Sequence, residues 1–182
     1  SDEEILRELE KRLEENVRRV EKRHEELERE VRDNLRRAEE KHRELEERVK
    51  RVIEEVIRTK GDEGEEAREL SKTLRRLSEK HRRDTEKLLR DLKELSDRHR
   101  DRTRKIREEL RRKLEEARRA NSSEEMVRKL VEDVDRLITD HTRSLEDVDR
   151  KVKDVIRRHT DSLRKVEEDV KRIIEELRKK AE

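Results

Sequence analysis

Several residue types on which common protein chemistry depends are missing from this sequence. Its 182 residues include no cysteine, no proline, no phenylalanine, tyrosine or tryptophan, and two glycines. The absence of cysteine excludes disulfides, thiolate metal sites and thiol catalysis. The absence of aromatic residues and proline gives β-strands and hairpins little support. No run of about eighteen apolar residues and no signal-peptide core is present, so we expect neither membrane insertion nor secretion, and the cellular location stays open.

An excess of charge of one sign is also lacking. Charged residues make up 59% of the chain, but 55 basic and 53 acidic side chains nearly cancel. We expect no nucleic-acid partner, because the basic run from Arg98 to Lys113 faces Glu-rich stretches of the first helix and is typical of a solvated, ion-paired surface. The apolar residues recur with helical spacing, which disordered chains lack, so the fold class is all-α.

Two interruptions divide the helical pattern into three segments. Gly61-Asp62-Glu63-Gly64 and Asn121-Ser122-Ser123 carry turn residues, and Ser1 with Glu4 and Ser122 with Glu125 form candidate capping boxes. The pattern predicts helix 1 over about 2–60, helix 2 over about 65–120 and helix 3 over about 123–181. It indicates a single-chain, antiparallel up-down-up three-helix bundle in which residues 1–182 form one elongated domain. At about 1.5 Å per residue each helix is about 85 Å long, which predicts a rod.

The histidines fall in three pairs, and the members of each pair are eighteen residues apart: His24 and His42, His81 and His99, and His141 and His159. Eighteen residues make about five helical turns, so both members lie on one face of a nearly straight, almost untwisted helix. The residue numbers of antiparallel partners add to 123 between helices 1 and 2 and to 240 between helices 2 and 3. We therefore predict two layers about 27 Å apart. The first layer is His24, His99 and His141, and the second layer is His42, His81 and His159.

Hydroxyl side chains recur at the same interval as the histidines. Because Cα–Cβ bonds tilt toward the N-terminus of a helix, His24 and His141 lean one way and His99 leans the other. On this basis Thr103 is predicted to bond His24 and His141, and Ser144 to bond His99. Thr85 and Ser162 have the same predicted roles in the second layer. A neutral imidazole has one donor and one acceptor, so these groups can satisfy one another, and we predict two buried His/Ser/Thr hydrogen-bond networks without a cofactor.

Three interpretations of these networks stay open at this stage. As structure they fix register, because a slip leaves buried imidazoles unpaired at about 1–3 kcal/mol each. As a switch they lose stability in acid, because burial and like-charged neighbours lower histidine pKa values below about 6.5. As a metal site three imidazoles offer ligands to zinc, nickel, copper or cobalt, although His99 leans away from the other two.

Catalysis is not expected, and neither is a small-molecule substrate. Asp97, His99 and Ser144 supply the residue types of a catalytic triad. A triad also needs an oxyanion hole and a cleft, and a straight bundle without long loops offers neither.

One polar module is written twice along the chain. The Leu-Ser-x-x-His-Arg-x-x-Thr segment that begins at Leu77 is repeated from Leu95, and the His-Thr-x-Ser-Leu segment at His141 is repeated at His159. Over its whole length the chain resembles computationally designed, parametrically generated three-helix bundles with buried histidine hydrogen-bond networks. The resemblance implies a de novo scaffold without natural activity, stable near neutral pH and sensitive to acid.

The sequence departs from the pH-responsive oligomers of that designed family, since its layers close within one chain. We therefore expect a monomer, with a domain-swapped or higher homo-oligomer as the alternative. A natural coiled-coil spacer rod is the alternative origin for such a charged helical chain. A bundle that binds a transition metal through three histidines is the alternative function.

Overall fold

The computed structural model describes residues 2–61, 64–120 and 123–181. They form three α-helices that pack against each other: α1 (Asp2–Lys60), α2 (Gly64–Arg119) and α3 (Glu124–Ala181). No strand occurs among these residues. The predicted all-α three-helix bundle is therefore confirmed. None of the described helices is both long enough and apolar enough to cross a membrane.

Contacts between side chains show the direction of each helix. Partners on α1 and α3 keep a nearly constant difference in residue number, as in Arg12 with Asp135 at 2.6 Å and Asn16 with Thr142 at 3.4 Å. These two helices are parallel. Partners on α1 and α2 instead keep a nearly constant sum, as in Glu14 with Arg107 at 3.4 Å, so α2 runs antiparallel to α1.

Local backbone chemistry explains where two of the helices end or begin. Gly61 has a φ of 78°, in the left-handed region that glycine adopts without a Cβ clash. Its N–H donates to the Ile57 carbonyl at 2.8 Å, which closes α1. Ser123 Oγ accepts from the Met126 N–H at 3.3 Å and caps α3. The predicted capping boxes and turns also rest on residues outside the described ranges, namely Ser1, Asp62, Glu63, Asn121 and Ser122.

Contacts group the chain into two compact units, each with segments of all three helices. Unit 1 comprises Ser1–Arg29 and Asp91–Val152, and unit 2 comprises Glu30–Arg90 and Lys153–Glu182. The prediction of one elongated domain, and with it the rod, stays a prediction.

Each unit has its own apolar core. In unit 1, buried leucine and valine side chains pack together with one isoleucine of α2. These residues are Leu6, Leu9, Leu13, Val17, Ile106, Leu110, Leu114, Leu130 and Val134. The corresponding cluster of unit 2 is Leu45, Val49, Val52, Leu70, Val170, Ile174 and Leu177. Each fully buried aliphatic side chain contributes about 1.5–3 kcal/mol. The histidines of each unit lie on the same helix faces as these residues and are held by the same packing.

Candidate functional site

Each unit contains one histidine layer, with the membership that the eighteen-residue spacing predicts. In unit 1 the His99 ring stacks on His24 at a centroid distance of 5.0 Å and on His141 at 5.4 Å. In unit 2 the His81 ring stacks on His42 at 5.0 Å and meets His159 at 5.4 Å with a tilt of 43°. His81 is half-buried and the other five rings are buried. In both layers the α2 histidine is the middle ring.

The α1 histidine of the first layer contacts a serine and a glutamate. His24 Nε2 lies 2.9 Å from Ser96 Oγ and 3.2 Å from Glu28 Oε1. Ser96 Oγ donates its hydrogen to the same Glu28 oxygen at 2.9 Å. Because the serine hydrogen is already used, His24 Nε2 is the donor in its bond to Ser96, which places a proton on Nε2.

The second layer repeats this cluster eighteen residues away on each helix. His42 Nε2 lies 2.8 Å from Ser78 Oγ and 3.1 Å from Glu46 Oε1, and Ser78 donates to Glu46 at 3.0 Å. The Nδ1 atoms of His24 and His42 are buried and have no hydrogen-bond partner within the described chain. The two clusters are therefore alike in both their bonds and their unpaired atoms.

His141 is the most fully bonded ring. Its Nδ1 lies 3.1 Å from Asn16 Oδ1, an acceptor, so Nδ1 carries the proton. Its Nε2 then accepts from Thr103 Oγ1 at 2.9 Å. The structure thus brings Thr103 to His141, as the tilt argument predicts, while His24 bonds Ser96 instead. This ring is fully buried, and both of its nitrogens are satisfied.

The matching contact is absent from the second layer in the described part of the chain. Thr85 Oγ1 and both ring nitrogens of His159 are buried without a hydrogen-bond partner there, so the predicted Thr85–His159 bond is not made. The two rings also differ in orientation. His159 is tilted by 43° against His81, whereas His141 is nearly parallel to His99 at 6°.

The predicted partners of the middle rings need correction. Ser144 accepts a hydrogen bond from Arg102 Nη1 at 2.6 Å, and neither nitrogen of His99 has a partner among the described residues. Ser162 likewise makes no bond to His81, whose Nε2 is unpaired within the same ranges. His99 is stacked between two rings, and His81 stacks on His42 and is tilted against His159. The middle rings thus pack against other imidazoles, and their predicted bonds to the serines of α3 are not found among the described residues.

Sequence reasoning missed the residues that bond both α1 histidines, His24 and His42. The tilt of the Cα–Cβ bond places the His24 ring toward the N-terminal side of α1, yet Glu28 and Ser96 hold it on the C-terminal side. Rotation about the side-chain bonds is cheap compared with a charge-assisted hydrogen bond. A signal was present, because Glu28 and Glu46, like Ser78 and Ser96, are eighteen residues apart. Positions i and i+4 also adjoin on a helix.

Burial and neighbouring charge lower the pKa of His99 and of His141 in the first layer. Burial lowers the pKa of His99 to about 4, with smaller contributions from His24, His141 and Arg102. Burial is also the main cause that lowers the pKa of His141, followed by Arg102 and Arg107. The charges around this layer therefore add to the effect of desolvation.

In the second layer the neighbouring carboxylates oppose burial. Burial lowers the pKa of His81, and His42 and His159 add to this, while Glu39 and Asp84 act in the opposite direction. Burial lowers the pKa of His159 as well, again opposed by Asp84. Asp84 occupies the position in the repeat that Arg102 occupies in unit 1. Arg102 and Arg107, the two cations that lower the pKa of His141, therefore correspond to Asp84 and Leu89 in unit 2.

The rings as folded do not fit a three-histidine metal centre. A metal ligand uses the lone pair in the plane of the imidazole, and zinc needs each nitrogen at about 2.0–2.1 Å. Nearly parallel stacked rings, at 13° and 6° in the first layer, direct those lone pairs side by side and not to one point. Within the described ranges no group of three or more His, Cys, Asp or Glu side chains is arranged to hold a metal ion.

The site is a pair of buried histidine hydrogen-bond networks inside a three-helix bundle, and this prediction is confirmed. The bonds run to serine, threonine, asparagine and glutamate. No protein-family model, curated protein or solved structure matches the chain.

Proposed function

We propose that this protein is a structural scaffold of the computationally designed kind, in which the two histidine layers set helix register and respond to acid. The duplicated His–Ser–Glu cluster carries this proposal. Its three distances agree to about 0.1 Å between the layers, with 2.9, 2.9 and 3.2 Å around His24 and 2.8, 3.0 and 3.1 Å around His42. A buried polar cluster repeated at one fixed interval is typical of a planned layer.

A role in register follows from the cost of unpaired buried groups. A slip of α2 by one turn would move Ser96 away from His24 and Ser78 away from His42. Each lost bond leaves buried polar atoms unsatisfied at about 1–3 kcal/mol. Polar layers of this kind are best attested as devices that select one alignment of helices.

The orientation of the serines favours a scaffold over a hydrolase. A catalytic triad places the nucleophile on one imidazole nitrogen and the orienting carboxylate on the other. Here Ser96 and Glu28 both contact His24 Nε2, and Ser96 donates its hydrogen to the carboxylate. The histidine therefore cannot take the serine proton in this arrangement. We propose that the chain is not an enzyme.

The acid response has a definite sign. The pKa of each of His81, His99, His141 and His159 is lowered in the folded chain, mainly by burial, whereas an unfolded histidine titrates near 6.5. The unfolded chain then binds more protons below this value. Stability is therefore complete above about pH 6.5 and is lost as the pH falls, down to about 4 for His99.

The test is guanidinium unfolding followed by far-UV circular dichroism between about pH 7.5 and about pH 4.5, at constant ionic strength and with a chelator present. We expect the midpoint to fall steeply below about pH 6.5. The His99→Leu variant is the matched comparison, and its profile should be shallower because the ring with the lowest pKa is gone. A flat profile for the unmodified chain would contradict the acid response.

A further inference from the structure

A basic groove lies between α2 and α3 of unit 1, beside the first layer. Its volume is about 490 Å³. Four cations and two carboxylates line it, together with His99 and Ser144. The six charged residues are Arg98, Asp101, Arg102, Lys105, Asp147 and Lys151. The groove therefore has an excess of positive charge in a chain that is nearly neutral as a whole.

Among the cations of the groove, Arg102 bonds a neutral hydroxyl, that of Ser144. Lys105 pairs with Asp101 at 3.2 Å, and Lys151 pairs with Asp147 at 3.0 Å. Arg102 Nη1 instead donates to Ser144 Oγ at 2.6 Å. A guanidinium has five N–H donors, so Arg102 retains four beyond this bond. Ser144 uses its oxygen as the acceptor, which leaves its O–H to donate. The pair presents N–H and O–H donors side by side, as oxyanions require.

An unpaired buried group borders the same groove. His99 is 4% exposed, lines the groove, and has no hydrogen-bond partner for either ring nitrogen within the described residues. A neutral imidazole in that position has an N–H donor that no described protein atom uses. The groove therefore has an excess of positive charge, two adjacent hydrogen-bond donors in Arg102 and Ser144, and an imidazole whose nitrogens have no hydrogen-bond partner within the described residues.

The repeat supplies an internal comparison. The position eighteen residues before Arg102 is Asp84, and the position eighteen residues after Lys151 is Asp169. Asp101 and Asp147 in turn correspond to Arg83 and Lys165, so the net charge at the six places is the same in both units. What differs is the position of the cation, because Arg102 lies beside the Ser144 hydroxyl and its place in the second copy is taken by Asp84.

We propose that this groove binds a doubly charged tetrahedral oxyanion, of the sulfate or phosphate class, through Arg102 and Ser144, with Lys105 and Lys151 at its sides. Asp101 and Asp147 do not prevent this, because each is neutralised by its lysine. The proposal does not rest on the acid response, because anion binding is measurable at neutral pH.

Binding and protonation of the first layer are coupled. Titratable and charged side chains from all three helices surround His99. They are Glu21, His24, Glu25 and Glu28 of α1; Arg98, Arg100, Asp101, Arg102, Arg104, Lys105 and Arg107 of α2; and His141, Asp147 and Lys151 of α3. Of these groups, Arg102 is one that disfavours the charged form of both His99 and His141. An anion on Arg102 cancels that field, so the anion should raise the pKa of both rings, and protons should tighten anion binding by the same factor.

The experiment is a sodium sulfate titration of the full-length, ¹⁵N-labelled chain, with sodium chloride added to keep ionic strength constant. Sulfate stays doubly charged across the pH range, so its own titration does not interfere. We expect saturable shifts of the Arg102 side chain and of the His99 and His141 rings in the low-millimolar range, and a higher apparent pKa for both rings. The His81 and His159 rings should not respond. Inorganic phosphate at neutral pH should reproduce the shifts.

Two variants separate a site from a general salt effect. Arg102→Asp should weaken sulfate binding by about tenfold or more, because a charge-assisted contact is replaced by repulsion. Arg112→Asp makes the same charge change at an exposed position of α2 outside the groove and should bind as the unmodified chain does. Circular dichroism checks that both variants are folded. Equal shifts in both layers, shifts that do not saturate, or unchanged binding by Arg102→Asp would each overturn the proposal.

Discussion

In the first layer His24 and His141 differ in which nitrogen carries the proton. His24 donates from Nε2 to Ser96, whereas His141 donates from Nδ1 to Asn16 and accepts at Nε2 from Thr103. The middle ring, His99, has neither kind of bond among the described contacts. Imidazoles at one height in one bundle are therefore chemically distinct, and the residues around each ring set its tautomer.

Removal of the Ser96 hydroxyl tests the α1 cluster. We expect Ser96→Ala to cost about 1–2 kcal/mol at pH 7.5, because His24 Nε2 and Glu28 Oε1 both lose a partner in a buried place. Chemical denaturation measures this change. Ser71→Ala is the control, since Ser71 is half-buried on the same helix and has no role in either layer. An equal loss in both variants would show that the hydrogen bond is not the cause.

The charge of Asp84 is a second test at the scale of single residues. The negative charge of Asp84 raises the pKa of His81 and of His159, whereas burial lowers it. Asp84→Asn should lower the pKa of both rings further, so the folded chain should lose more stability in acid and unfold at a higher pH than the unmodified chain. Histidine ring resonances followed against pH measure the shift. Asp91→Asn, at an exposed position of α2, should leave both rings unchanged, and a fall in that control would contradict a local effect.

At the scale of the helix, glycine conformation determines where α1 ends. Gly61 has a positive φ of 78° and donates to the Ile57 carbonyl at 2.8 Å, which satisfies one of the last carbonyls of the helix. An added Cβ meets no atom within 4 Å. Backbone conformation, and not space, is therefore what restricts this position to glycine.

Gly61→Ala should destabilise the chain by about 1 kcal/mol, because a residue with a Cβ is strained at positive φ. Thermal or guanidinium unfolding measures the change. The neighbouring Lys60→Ala replaces an exposed helical residue and should cost only a few tenths of a kcal/mol. If both variants unfold alike, the left-handed conformation of Gly61 does not contribute.

The apolar faces of the helices, and the histidines among them, follow from periodicity alone. Side chains three and four residues apart share one face of a helix, so Val17 and His24 on α1, or Leu110 and Thr103 on α2, must be buried together once three helices associate. The side-chain angles χ1 and χ2, which set where a ring nitrogen points, do not follow the helical period. For this reason the tilt argument placed the serine partners incorrectly, although it brought Thr103 to His141.

For the whole molecule, replacement of every histidine separates register from packing. The sixfold leucine variant exchanges His24, His42, His81, His99, His141 and His159 for an apolar side chain of similar volume. We expect equal or higher stability at pH 7.5, since apolar replacement of a whole buried polar set is often neutral or stabilising. The dependence of the unfolding midpoint on pH should disappear. If it survives, other groups cause the acid response.

The number of helices, their bounds and the membership of each layer follow from the sequence, because helical periodicity and turn residues act locally and eighteen residues complete five turns. The tertiary structure decided which atoms bond. His24 bonds Glu28 and Ser96. Ser144 bonds Arg102 and not His99. Thr103 bonds His141, whereas Thr85 makes no corresponding bond to His159 within the described residues. Such choices depend on rotamers and on competition among several partners at one height. That competition exists only after three helices have brought those partners together.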